Sequence, residues 1–221
     1  MKDVDSLTES AAALARRGLS HGEVADELNV SRETASWLVE RADGPNEDTA
    51  EGTGDADAAA SAPSDGGPHD IHVDWSAVGR DSFRLSAVGS ALADLLTGPG
   101  DAGITVGIEK AGVPLATVVS RELDTSLATY APRKHQWEEG DIESYSGGFS
   151  RNFAGIDERA CYVVDDTVTS GTTLGETVDA VRDAGGEPVA CAVLADKRGI
   201  DDIDGVPVFS LLEVIRVGDG T

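Results

Sequence analysis

The residues best suited to chemistry form one run, Cys-Tyr-Val-Val-Asp-Asp-Thr-Val-Thr-Ser-Gly-Thr-Thr at residues 161–173. Its apolar half predicts a buried strand that ends in two carboxylates, and its hydroxyl-rich half leads into a helix. Backbone N–H groups at a helix start bind phosphate because the helix dipole favours an anion there. The carboxylates would repel phosphate, so we expect them to accept hydrogen bonds from sugar hydroxyls. The run therefore predicts a ribose 5-phosphate site formed by Asp165, Asp166, Thr167, Val168, Thr169, Ser170, Gly171, Thr172 and Thr173.

The alternative for this run is an ordinary strand-to-helix turn, capped by Asp and Thr in a chain rich in Asp. Against that alternative, all thirteen residues 161–173 resemble the phosphoribosyl-diphosphate-binding motif of the type I phosphoribosyltransferases. The resemblance covers most of residues 71–221 and is closest to the orotate enzymes. It implies a parallel sheet flanked by helices, with Mg²⁺ as a candidate cofactor that accompanies phosphoribosyl diphosphate.

Four cations outside the run belong to segments that the resemblance assigns to the ligand. Residues 104–116 resemble the family's strand, diphosphate loop and following helix, and residues 130–134 resemble its Tyr, Arg and Lys segment. A fourth segment, Asp-Lys-Arg-Gly at residues 196–199, falls where the family often has an arginine that contacts the base. The alternative is that these side chains are simply solvated. The resemblance implies ligand contacts for Lys110, Arg133, Lys134 and Lys197.

The segment after Lys134 departs from the orotate enzymes, which carry further cations there. Here residues 135–143 read His-Gln-Trp-Glu-Glu-Gly-Asp-Ile-Glu, with four acids and no Lys or Arg. Carboxylates disfavour a transition state that releases an anionic diphosphate, and we expect His135 to be solvated. We therefore predict that binding is retained, that catalysis is lost or feeble, and that the chain has no catalytic residue.

The N-terminal residues 1–42 predict three short helices. Ser20 and Glu23 form a capping box, Asn29 suits a left-handed turn, and Ser31 suits the start of a third helix through Arg41. Residues 19–39 resemble a helix-turn-helix, whose third helix reads the major groove of DNA while nearby arginines contact phosphates. The alternative is a small packing or dimerisation element. The expected DNA contacts are Ser31, Arg32, Glu33, Thr34, Ser36, Arg16, Arg17 and Arg41, with Arg32, Glu33, Thr34 and Ser36 facing outward.

Apolar and amphipathic segments alternate from residue 71 onward, which predicts an α/β domain over residues 71–221. We expect strands at residues 104–108, 127–130, 160–165, 188–194 and 206–209, and helices at residues 82–96, 113–123 and 172–184. Residues 131–152 predict a mobile loop over the site. Residues 43–70 carry eight acids and no base, which predicts an acidic, disordered linker between a helix-turn-helix domain and this α/β domain.

The charge of the whole chain is strongly acidic. It has 41 acidic and 17 basic residues, a net charge of −24, and only 4 of the bases are Lys. Such a charge excludes a conventional basic nucleic-acid binder and is typical of proteins kept soluble at very high salt. No apolar run suits a membrane span and no secretory signal is found, so we expect a cytoplasmic protein. Cys161 and Cys191 lie in apolar runs, which predicts buried thiols and no metal site.

A helix-turn-helix, an acidic linker and a catalytically altered phosphoribosyltransferase domain together resemble a haloarchaeal family of orotate-phosphoribosyltransferase-like transcriptional regulators. The family implies control of sugar-catabolism genes. We expect double-stranded DNA and a phosphoribosyl or phosphorylated effector as partners, and a homodimer that supplies two half-sites. The alternative is an active orotate or purine phosphoribosyltransferase whose helices only mediate assembly. Because molar salt removes most of the counterion-release term, an acidic chain can still bind DNA.

Overall fold

The computed structural model describes residues 4–43, 70–132 and 147–215. The chain divides into two compact units, residues 1–72 and 73–221. Among the described residues, no helix is both long and apolar enough to span a membrane. Most of the predicted linker lies outside the described residues, but its two ends do not: Asp43 ends a helix, and Asp70 belongs to the first unit.

The first unit contains three helices: α1 (Val4–Arg16), α2 (His21–Leu28) and α3 (Arg32–Asp43). Their shared core consists mainly of Ala11, Val24, Ala25, Leu28, Val30, Ala35, Leu38 and Val39. The predicted capping box is present, since the Ser20 hydroxyl accepts from the Glu23 amide and the Glu23 carboxylate accepts from the Ser20 amide. Ser31 likewise starts α3, because its hydroxyl accepts from the Thr34 amide at 3.1 Å.

Asn29 ends α2 in the left-handed conformation, with φ 51° and ψ 46°. A side chain with a Cβ is strained there, and Asn is among the few residues that tolerate it. We expect Asn29→Ala to destabilise the helical unit by about 1 kcal/mol, and Asn29→Gly to stay within about 0.5 kcal/mol of the wild type. The exchange rates of the α2 and α3 amides measure the stability of the helical unit in both variants. Equal exchange in the two variants would contradict the role of the left-handed turn.

The second unit is a seven-stranded sheet, with strands β1 (Ile104–Ile108), β2 (Ser126–Ala131), β3 (Gly148–Phe149), β4 (Ala160–Val168), β5 (Glu187–Asp196), β6 (Asp202–Ile203) and β7 (Val206–Glu213). Their order in the sheet is β3-β2-β1-β4-β5-β7-β6. The strands β2, β1, β4, β5 and β7 are parallel, and β3 and β6 pair antiparallel at the edges. The predicted parallel sheet is confirmed, with two short antiparallel edge strands that the sequence did not reveal.

Helices cover both faces of this sheet. They are α4 (Ser76–Gly79), α5 (Ser82–Leu95), α6 (Gly112–Glu122) and α7 (Thr172–Asp183). α7 packs on one face through Leu174, Val178 and Val181. α5 and α6 pack on the other face through Leu92, Ala93, Leu115, Ala116 and Val119. Parallel strands buried on both faces explain why the predicted strands read as continuous apolar runs.

The chain order places a topological switch point between β1 and β4. The connection from β1 leads to β2 on one side, and β4 lies on the other side of β1. In open parallel sheets, ligands bind at the carboxyl ends of the strands beside such a point, because the crossover connections diverge there and leave a crevice. The sheet therefore positions the loops after β1 and β4 as the candidate site.

Candidate functional site

The two carboxylates of the predicted site lie within β4 rather than after it. The strand was expected to end at Asp165, but pairing with β5 continues through Thr167 and Val168. Successive side chains of a strand point to opposite faces. Asp165 is half-buried, whereas Asp166 is only 7% exposed and donates its amide to the Asp165 carboxylate at 2.9 Å. The two acids thus lie in different surroundings.

Asp166 is held by a tryptophan from the start of the second unit. The Nε1 of Trp75 donates to Oδ2 of Asp166 at 2.8 Å, and the Thr167 hydroxyl lies 3.4 Å from the same oxygen. Burial raises the pKa of the Asp166 carboxyl, and the Trp75 hydrogen bond partly opposes that rise. Burial of Asp166 therefore makes the ionised form of its carboxyl group less favourable.

The loop after β1 packs directly against the end of β4. Gly107 pairs with Val164 in the sheet, and a Cβ at Gly112 would lie 2.6 Å from the Val164 carbonyl oxygen and 2.9 Å from Cα of Asp165. Only a glycine fits this approach. The peptide bond between Glu109 and Lys110 is cis, and Lys110 is exposed in the loop. The structure thus brings the predicted diphosphate loop beside the predicted sugar-binding acids.

The loop between β4 and α7 leads from the sheet to a helix start. Gly171 has φ 79° and precedes Thr172, the first residue of α7, without a side-chain cap. The Ser170 and Thr172 hydroxyls lie 3.0 Å apart and both residues are exposed. The first amides of a helix lack partners inside the helix, so this end of α7 presents donors with neighbouring hydroxyls.

Two predicted ligand residues lie deeper than the sequence suggested. The Val168 side chain is 4% exposed and belongs to the core, so the predicted ligand contact of Val168 remains a prediction for its backbone alone. Its carbonyl accepts from the Lys197 amide at 3.0 Å, which places Lys197 beside the loop. Lys197 itself is 4% exposed. The turn after it is fixed by Asp196, whose carboxylate accepts from the backbone amides of Arg198, Gly199 and Ile200.

The remaining predicted cations, Arg133 and Lys134, lie outside the described residues, as does His135, so their contacts with a ligand remain a prediction. Both cysteines are buried and free. Desolvation raises the pKa of Cys161 to about 11 and that of Cys191 to about 12, with Asp165 adding to the latter shift. The two thiols therefore stay protonated at neutral pH, and the prediction of buried apolar cysteines is confirmed.

Mg²⁺ accompanying a diphosphate also remains a prediction. In the part of the chain that the structure describes, no group of three or more His, Cys, Asp or Glu residues is arranged to hold a metal ion. Mg²⁺ is usually bound through one or two carboxylates together with ligand phosphates. The carboxylate of Asp165 suits this kind of site, in which the phosphates of the ligand supply most of the oxygens that coordinate the ion.

The start of α3 presents part of the predicted DNA-contacting set. Arg32 and Glu33 are exposed there. Thr34 is 9% exposed and its hydroxyl lies 2.9 Å from that of Ser31, so the expectation that Thr34 faces outward is wrong. Helical spacing explains the error, since Thr34 precedes the buried Leu38 by four residues and lies on the same face. Ser36 lies nearer the surface, with its hydroxyl 2.9 Å from Nδ1 of His21.

The three arginines expected to contact phosphate are all exposed. Arg16 ends α1 and Arg17 follows it. The guanidinium of Arg41 lies 3.7 Å from the Asp5 carboxylate and 5.2 Å from the centre of the Trp37 ring. An exposed ion pair is weak, so Arg41 stays available to another anion.

The sequence did not reveal that Trp75 contacts the candidate site. It lies 91 residues from Asp166 and precedes a four-residue helix that no periodicity marks. A hydrogen bond over such a distance leaves no local pattern. The one available signal was that a tryptophan, which has a polar N–H to satisfy, stands among only 5% aromatic residues.

The chain matches known proteins over both units. Residues 76–212 match the family described as phosphoribosyl transferase domain. A transcriptional regulator GfcR from Haloarcula marismortui is 64% identical over 220 residues, covering 99% of this chain and 98% of that protein. A second, from Halorubrum lacusprofundi, is 62% identical over 218 residues, 98% of each. The structure of orotate phosphoribosyltransferase from Aeropyrum pernix has a TM-score of 0.52 at 19% identity, covering 67% of this chain and 81% of that chain.

The sheet order, the switch-point loops and the family match define a phosphoribosyltransferase-type domain that follows a small helical unit. Identity above 60% along the whole chain narrows the class further. The chain belongs to the family of proteins named transcriptional regulator GfcR, and the family resemblance predicted from the sequence is confirmed.

Proposed function

We propose that this protein is a DNA-binding transcriptional regulator whose phosphoribosyltransferase-like domain binds a phosphoribosyl or phosphorylated effector. The observation that carries the proposal is the start of α3, where Arg32 and Glu33 are exposed directly after the tight turn at Asn29. An Arg and a Glu at the start of a recognition helix are suited to guanine and cytosine edges. The relatives named transcriptional regulator support this reading.

The ligand part of the proposal rests on the loops at the switch point. A helix start with exposed hydroxyls suits a phosphate. The adjoining carboxylates of Asp165 and Asp166, which point to opposite faces of β4, are each suited to accept a hydrogen bond from a separate sugar hydroxyl. The effector is thus a ribose phosphate derivative. The proposal includes dimerisation through the second unit, since a single helix-turn-helix is too small for tight specific binding. It also includes control of sugar-catabolism genes, which the family resemblance implies.

The test of DNA binding is selection of duplexes from a random pool by the full-length protein in concentrated KCl. For a selected duplex, we expect Arg32→Ala to weaken binding by about 10-fold or more, because a base-contacting arginine is worth roughly 1–3 kcal/mol. Arg121→Ala is the matched control, because it removes the same charge from an exposed position on α6 of the second unit. Equal losses in the two variants, or no selected duplex, would count against the regulator.

Loss of catalysis is tested separately. The full-length protein with phosphoribosyl diphosphate, Mg²⁺ and orotate or a purine base should release no diphosphate above the uncatalysed rate. Steady turnover without specific duplex binding would instead establish the alternative, an active phosphoribosyltransferase. Turnover together with duplex binding would establish a protein with both activities.

A further inference from the structure

The Trp75–Asp166 hydrogen bond connects the candidate ligand site to the segment that follows the first unit. Trp75 is held in its place by more than this bond. Its ring packs against the core beside α5 and α6, and a Cβ at Gly79 would lie 2.8 Å from the ring. The indole therefore has a defined position, in which its N–H meets the buried carboxylate.

The same segment is anchored on the first unit a few residues earlier. The Asp70 carboxylate accepts from the Ser31 amide, which immediately precedes α3. The Nδ1 of His72 is hydrogen-bonded to the Leu28 carbonyl at the end of α2. Both contacts lie at the turn between α2 and α3. Only Val73 and Asp74 separate His72 from Trp75.

We propose that Trp75 is a positioning residue that couples occupancy of Asp166 by a ligand to the turn at the start of α3. This inference rests on the proposed function, because it takes a sugar hydroxyl as the group that reaches Asp166. A hydroxyl that donates to Asp166 shares or replaces the acceptor held by the Trp75 N–H. The hydrogen bonding of the Trp75 N–H then differs between the free and the ligand-bound protein. Val73 and Asp74 transmit that difference to His72 and Asp70.

The coupling has a thermodynamic requirement that this geometry meets. A ligand shifts an equilibrium only if it binds two states with different affinity. The two states here are Asp166 bonded to Trp75 and Asp166 bonded to the ligand. The path between the two sites runs through residues 70–75, because Asp70 and His72 are hydrogen-bonded to the turn between α2 and α3.

The first test needs neither ligand nor DNA. Trp75→Phe keeps an aromatic side chain but removes the pyrrole ring together with its N–H donor. Tyr162→Phe is the control, since it removes another buried aromatic hydrogen bond, to the Gly100 carbonyl. In hydrogen exchange of the full-length protein, we expect the amides of residues 70–76 and of Ser31 to exchange about 5-fold faster in Trp75→Phe, because one hydrogen bond that holds the segment is lost. We expect no such change in Tyr162→Phe. Wild-type exchange in Trp75→Phe would overturn the inference.

The second test measures coupling in the full-length protein, with phosphoribosyl diphosphate and Mg²⁺ as the probe. The probe should change the Kd for a selected duplex about 5-fold or more in the wild type and in Tyr162→Phe, and less than about 2-fold in Trp75→Phe. Wild-type coupling in Trp75→Phe would overturn the inference. Absence of any probe effect in the wild type would contradict effector sensing, and hence the coupling, while the exchange result would still report separately whether Trp75 anchors the segment.

Discussion

Replacing Gly112 by alanine is expected to lower the free energy of unfolding of the second unit by about 2–3 kcal/mol and to weaken binding of phosphoribosyl diphosphate by about 10-fold or more. The added Cβ would lie 2.6 Å from the Val164 carbonyl oxygen and 2.9 Å from Cα of Asp165. Both are backbone atoms of a central strand and cannot rotate away. The loop carrying Lys110 must move off β4, which separates it from the acids.

Gly98→Ala is the matched control, because no atom lies within 4 Å of the position its Cβ would take. We expect it to keep both the wild-type stability and the wild-type affinity. Urea unfolding followed by circular dichroism and calorimetric titration with the probe measure the two quantities on the full-length protein. Equal stability of the two variants would show that the loop after β1 is not held against β4 as closely as the structure indicates.

The sheet and the loop between β4 and α7 were predictable because their signals are local. The strand at Ile104–Ile108 has the predicted bounds, and α7 begins at the predicted Thr172. Apolar runs bounded by Gly, Asp and Thr are sufficient for such elements. The short strand β6 at Asp202–Ile203 was missed, since two residues carry no periodicity and depend on pairing with β7.

The environment of the two acids was not predictable from their own sequence. Asp165 and Asp166 read as equivalent members of one motif, but the pleat separates them and the Trp75 N–H donates to the second. The predicted linker shows the same limit at its end, where Asp70 accepts from Ser31 instead of being solvated. In both cases the partner is distant in the chain, so composition alone gave the wrong surroundings.

The contrast between the two acids leads to the prediction for Asp166→Asn. This variant should bind phosphoribosyl diphosphate about 10- to 100-fold more weakly, since it removes a charged acceptor for a sugar hydroxyl. Above the folded pKa of Asp166 the variant should nevertheless be more stable than the wild type, by about 1 kcal/mol, because a buried charge is removed while an amide oxygen remains for the Trp75 N–H. A binding residue that opposes folding is expected where function requires a buried charge.

The pH dependence follows from the direction of the pKa shift. Burial raises the pKa of Asp166 in the folded protein above the value of about 3.9 in an unfolded chain. The ionised group therefore lowers stability at all pH values above the folded pKa, and this penalty disappears as the pH falls from the folded pKa to about 3.9. The stability advantage of Asp166→Asn should be complete above the folded pKa and should shrink as the pH falls from there towards about 3.9.

The variant Asp94→Asn is the control that distinguishes the removal of a buried carboxylate from a simple change in net charge. Asp94 is exposed on α5, so the variant removes one charge of the 24 in excess without relieving a buried carboxylate. We expect its unfolding free energy to match the wild type within about 0.5 kcal/mol at each pH in concentrated KCl, because salt screens exposed charges. If Asp94→Asn gained as much stability as Asp166→Asn, self-repulsion of the acidic chain would explain both, and the Asp166 carboxylate would carry no folding cost of its own.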